Sequence, residues 1–110
     1  MFNGPMRILI LMGLFLSAAC TKKPSAPVSL DKQGAKVYAM HCTACHNANP
    51  KQAGSIGPAI WGSSVELLEA RLVHGTYPPG YKPQRDTKIM TLLPFLKDQI
   101  PALHAFLNTP

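Results

Sequence analysis

An all-α fold is what this 110-residue sequence predicts. Three segments carry apolar residues at helical spacing, and none alternates apolar and polar residues as a half-buried strand does. A stretch rich in proline and glycine, residues 76–96, separates the second helical pattern from the third. A chain of this length makes one small domain, and domains that small often need a metal, a disulfide or a cofactor to complete the core.

The first nineteen residues read as a targeting signal. Arg7 gives a positive start, Ile8 to Leu16 an apolar run, and Ser17-Ala18-Ala19 places small residues before Cys20. A start at Met6 would supply the same signal. The apolar run from Ile8 to Cys20 falls short of the roughly 20 residues that a comfortable bilayer crossing needs. The position of Cys20 resembles a bacterial lipoprotein signal, in which the cysteine is lipidated, although Ser17 stands where that pattern has an aliphatic residue. Ordinary cleavage would instead leave Cys20 as a free thiol, a mispairing hazard beside Cys42 and Cys45. Both routes export the protein, to a periplasmic location, and lipidation would anchor it to the membrane. Thr21 to Ser29, with two lysines and two prolines, reads as a linker able to span roughly 30 Å when extended. The domain then occupies residues 30–110.

The first helical pattern runs from Asp31 to Cys42, with Leu30, Gly34, Val37, Tyr38 and His41 along one face. The second begins at a capping box, Ser63-Ser64-Val65-Glu66, and runs through Leu67, Leu68, Arg71, Leu72 and Val73 to a stop at Gly75. The third begins near Lys97 or Asp98, buries Ile100, Leu103, Phe106 and Leu107, and carries Pro101 in its opening turn, where a missing N–H matters least. A loop as long as residues 76–96 needs a function, and wrapping a flat cofactor would be one.

Cys42-Thr43-Ala44-Cys45-His46 is a C-x-x-C-H sequence, the attachment signature of c-type haem. Two thiols at this spacing can add to the two vinyl groups of the ring, and the next residue, His46, then falls beneath the iron. A zinc half-site would lack its second pair of ligands, and a catalytic C-x-x-C would want a βαβ context that the pattern lacks.

From Leu30 to Leu107 the chain resembles the class I cytochromes c, the small bacterial members especially. Gly34 and Tyr38 match the family's glycine and aromatic residue in the first helix, and Leu103 and Phe106 match the last-helix pair packed across them. The resemblance implies a small helical domain wrapped around one covalent haem. Gly57-Pro58 matches the family's turn after the attachment helix, so the resemblance implies that the Pro58 carbonyl accepts a hydrogen bond from Nδ1 of His46. The resemblance also implies that Trp61, Tyr77, Tyr81 and Arg85 contact the haem edge or its propionates. The plainer readings are core packing for Trp61 and a solvated face for Arg85 and Lys88.

The second axial ligand follows by elimination. Met1, Met6 and Met12 lie in the leader and Met40 on the attachment helix, which leaves Met90 in the long loop. Met90 is followed by Thr91, where many relatives have proline. A core gap-filler is the alternative for this methionine. His41, His74 and His104 read first as surface or helix-end residues.

A His/Met pair leaves no open position at iron for oxygen or peroxide and favours the ferrous state. The expectation is therefore a one-electron carrier, not an enzyme, serving redox proteins such as a reductase, an oxidase or a dehydrogenase through small transient interfaces. Lys51, Lys82, Arg85, Lys88 and Lys97 are placed to steer an acidic partner. Two alternatives remain at this point: the haem-bearing subunit of a larger oxidoreductase, and a sensor or enzyme if Met90 does not reach iron. The net charge of +6 carries no basic helix of the kind that binds nucleic acid.

Overall fold

The computed structural model describes residues 19–110. The leader read over residues 1–19 lies outside them except for Ala19. Residues 19–29 are exposed and without helix or strand, and every regular element after them is helical.

Helix α1, Leu30–His41, starts and ends one residue earlier than the spacing predicts. Ser29 is its extended N-cap, and the Ser29 carbonyl accepts the first helical bond, from the Gln33 amide at 3.0 Å. The buried side of α1 is Gly34 and Tyr38. A β-carbon at Gly34 would collide with the Ala102 carbonyl and come within 2.8 Å of Phe106 Cβ, so α1 meets the last helix backbone to backbone. The Tyr38 and Phe106 rings pack tilted beside that crossing, 5.3 Å between centroids.

Helix α2 is Val65–Glu69. Its cap is Ser64, whose hydroxyl oxygen accepts from the Leu67 amide at 3.2 Å, so the capping register is one residue later than expected. Ser63 is buried instead in the preceding turn, where its hydroxyl donates to the Ile60 carbonyl at 2.6 Å. That turn pivots on Gly62 at φ 80°, which sets the entry into the helix one position further on. The helix continues as a π-wound turn, Ala70–His74, and stops at Gly75 in the left-handed conformation, φ 67°.

The third pattern divides in two. A 3-10 helix, Pro94–Gln99, precedes helix α3, Ile100–Leu107. Pro101 explains the break: without an N–H it cannot donate four residues back to the Lys97 carbonyl, and that carbonyl takes the Ile100 amide three residues ahead instead. Pro101 itself sits in the opening turn of α3, as expected. Tyr38, Leu68, Leu72, Ile100, Leu103 and Leu107 form the core between the helices. Among the described residues, no helix is long and apolar enough to cross a membrane.

Candidate haem site

The attachment sequence begins where α1 ends. Cys42 caps the helix, its amide bonded to the Tyr38 carbonyl at 2.9 Å, and the Cys42 carbonyl then accepts from the amides of Cys45 at 3.2 Å and His46 at 2.9 Å. The chain thus makes one more helical turn through the motif, and residues three apart on such a turn share a face. Cys42 and Cys45 therefore line the same cavity, and neither is in a disulfide. Burial pushes the Cys42 thiol up to about 11, whereas Cys45 is exposed.

His46 is fixed by two neighbours. Its Nδ1 lies 2.7 Å from the Pro58 carbonyl oxygen, which can only accept, so Nδ1 carries the hydrogen and Nε2 carries the lone pair in the neutral ring. A β-carbon at Gly57 would stand 2.5 Å from Cε1 and 2.6 Å from Nδ1 of the imidazole, so only glycine lets the ring lie against this turn. The Gly57 amide in turn bonds the Cys45 carbonyl at 2.9 Å, and the Tyr38 hydroxyl donates to the Asn47 carbonyl. The histidine is held from the helix side and from the turn side at once.

The cavity has a volume of about 530 Å³, within the range of cofactor sites. Every site residue named from the sequence lines it: Cys42, Cys45, His46, Pro58, Trp61, Tyr77, Tyr81, Arg85 and Met90. Leu68, Leu72, Leu93, Leu103 and Leu107 add apolar wall. Met90 is half-buried and packs against the core. Met40 is 77% exposed, on the outside of α1. His74 is also exposed, 4.0 Å from Glu69, and neither it nor His104 lines the cavity.

The aromatic and basic residues are tied into the structure more firmly than a solvated face would be. Arg85 donates to the Ile56 carbonyl at 3.3 Å and the Gly54 carbonyl at 3.2 Å, and Gln84 donates to the Ala59 carbonyl at 3.1 Å. Tyr77 and Tyr81 stack with an interplanar angle of 8°. Trp61 lies under the Lys51 ammonium, 4.3 Å from the ring centroid.

Among the lining residues that the sequence reading did not assign to the site are Arg71, Gln84 and His41. Arg71 stacks its guanidinium over Tyr77 at 4.2 Å and extends the tyrosine pair into a three-layer stack. Its signal was present, since it lies four residues after Leu67 on the face that Leu68 and Leu72 share. Gln84 left no signal. His41, read from the sequence as a surface or helix-end residue, lines the cavity, and Phe95 meets its ring edge-on at 5.4 Å.

These residues fit a c-type haem: two reduced thiols on one face of a turn, a histidine whose Nδ1 is committed to a carbonyl, and an apolar cavity beside both. A family model for cytochrome c matches residues 32–109 of the chain. No curated protein and no solved structure gives a significant match. The helical fold, the attachment turn and the family match agree, and the chain belongs to the cytochrome c family as a class I cytochrome c that binds one covalent haem c and serves as a haem-based electron carrier.

Proposed function

We propose that this cytochrome is a one-electron carrier of an exported, periplasmic redox chain, with Cys42 and Cys45 holding the haem by thioether bonds and with His46 and Met90 as the two protein ligands of iron. The observation that carries the reading is that one cavity contains both thiols, a histidine with its Nδ1 committed to Pro58, and the only methionine among those described that lines it. When bound, the haem supplies a ferric/ferrous couple able to take or give one electron. The Pro58 carbonyl orients His46 and makes Nε2 the better donor. Trp61, Tyr77, Tyr81 and Arg85 line the cavity and are the residues that would meet the ring edge and the propionates. Leu68, Leu72 and Leu103 keep water from the buried side. With His46 and Met90 both held to iron, the site would favour transfer over catalysis, and its partners would be redox proteins.

A thioether on ferric low-spin haem gives a weak near-infrared charge-transfer band. The wild type should show it, Met90→Ala should abolish it and lower the potential, and Met40→Leu should do neither. A wild type without the band that binds carbon monoxide readily as isolated would instead be a sensor or an enzyme.

The lipid anchor belongs to the same proposal. Cys20 is exposed, and the exposed residues between it and α1 would hold the domain off a membrane surface. Cys20→Ser should release a soluble protein that is still red. An unmodified residue 20 in the intact mass of the wild type would replace lipidation with ordinary cleavage.

A further inference from the structure

The π-wound turn that ends α2 leaves one backbone carbonyl without its usual partner. In a continued α-helix the Leu72 carbonyl would accept from the Thr76 amide, and in the common glycine-terminated ending it would accept from the Gly75 amide. Here both donors go elsewhere. The Gly75 and Thr76 amides both return to the Ala70 carbonyl, Thr76 at 2.9 Å. Leu72 is buried, 3% exposed, so its free carbonyl needs a partner from another part of the chain. That partner is the Leu93 amide, at 2.8 Å.

A second contact lies three residues further along the end of α2 and one residue earlier in the loop. Gly75 faces the Leu92 side chain, and a β-carbon there would stand 3.0 Å from Leu92 Cδ2. The end of α2 therefore grips residues 92 and 93 together, one by its side chain and the other by its amide. Both lie just beyond Met90, separated from it by Thr91 alone.

We propose that Leu72, Gly75, Leu92 and Leu93 form a clamp that positions Met90 through one main-chain hydrogen bond and one side-chain contact. The π-wound turn is what makes the clamp available, because a regular ending would use the Leu72 carbonyl within the helix. These four are positioning residues, acting on iron through Met90, and the proposal rests on the reading of Met90 as a ligand.

The test compares three variants of the haem-loaded protein with the wild type. Leu92→Ala removes the side-chain contact at a half-exposed position and should leave the core intact. Gly75→Ala adds the crowding atom and strains a left-handed residue. Gly80→Ala is the control, since Gly80 has φ 78° but nothing within 4 Å of an added β-carbon. Carbon monoxide can enter the reduced protein only when Met90 is away, so its uptake rate reports the open fraction. Uptake should rise about fivefold in Leu92→Ala and about tenfold in Gly75→Ala, the scale of one lost contact and of one lost contact with backbone strain. The near-infrared band should fade at a lower denaturant concentration than the far-ultraviolet helix signal in both, and protection of the Leu93 amide from hydrogen exchange should drop with it. Gly80→Ala should keep wild-type uptake within about twofold.

Unchanged uptake in both clamp variants, with the band still lost on Met90→Ala, would overturn the clamp and leave the ligand assignment standing. A rise in Gly80→Ala equal to that in Gly75→Ala would also overturn it, by making backbone strain the whole cause. A wild type lacking the band would overturn the ligand assignment and the clamp with it.

Discussion

The two sides of the cavity are built differently. On the attachment side, residues 30–58, the chain is tied at almost every step: α1 runs into the Cys42–His46 turn, the Gly57 amide holds Cys45, and the Pro58 carbonyl holds the imidazole. On the loop side, residues 76–93, the regular bonding is sparse, and two side chains and one main-chain amide reach far along the sequence instead. Gln84 bonds Ala59, Arg85 bonds Gly54 and Ile56, and Leu93 bonds Leu72. Local winding thus fixes His46, whereas Met90 depends on a few separate ties. Regions held by few ties open at lower free energy than the whole protein, so the two sides should come apart at different points.

The largest effect should come from breaking the attachment side at its base. Gly34→Val puts a branched side chain where even one carbon collides with the Ala102 carbonyl, and α1 and α3 must separate. A loss of about 3 kcal/mol is expected in the denaturant midpoint, with both sides of the cavity lost together.

A smaller effect distinguishes winding from side-chain support. Tyr38→Phe removes the hydroxyl that donates to the Asn47 carbonyl, and stability should fall by about 1.5 kcal/mol while the near-infrared band survives. Burial, more than the neighbouring Cys42, pushes the Tyr38 phenol up from 10.0 to about 12. The folded protein therefore keeps a proton that the unfolded chain gives up, and stability should decline as pH rises from 10 to about 12. Unfolding midpoints across that window should be flatter in Tyr38→Phe than in the wild type.

The smallest expected effect lies on the loop side. Arg85→Ala removes two bonds to the 54–56 turn, at a cost below about 1 kcal/mol of global stability. Amide exchange should quicken across residues 82–90 and stay unchanged in α1. Equal quickening in both would mean that the two sides open as one unit.

The same division separates what the sequence discloses from what it hides. The three helical patterns and the attachment turn follow from residues at short, fixed spacing, whose geometry is nearly local, whereas the glycine at the α1–α3 crossing and the Pro58 partner were legible only through the resemblance to the class I cytochromes c. The cap of α2 fell one residue late because two adjacent serines offer the same chemistry, and the choice was made by the turn at Gly62. Pro101 was legible as an opening residue, but its effect on the Lys97 carbonyl, which draws a 3-10 helix ahead of α3, needs the backbone path. The Leu72–Leu93 bond is wholly invisible in sequence: it joins two main-chain groups, and any residue but proline could supply the donor. Arg71 stood on a recognisable face, yet its stacking partner Tyr77 lies beyond a glycine stop and a left-handed turn.

The contact between Gly34 and Ala102 also sets a clock for synthesis. The ribosome releases the first helix long before the last, so the seam on which the core depends cannot close until nearly the whole domain has been made. Through most of translation the nascent chain therefore lacks α3, and with it half of this seam. Its final commitment is abrupt, when α3 arrives and finds the gap that the glycine has left open.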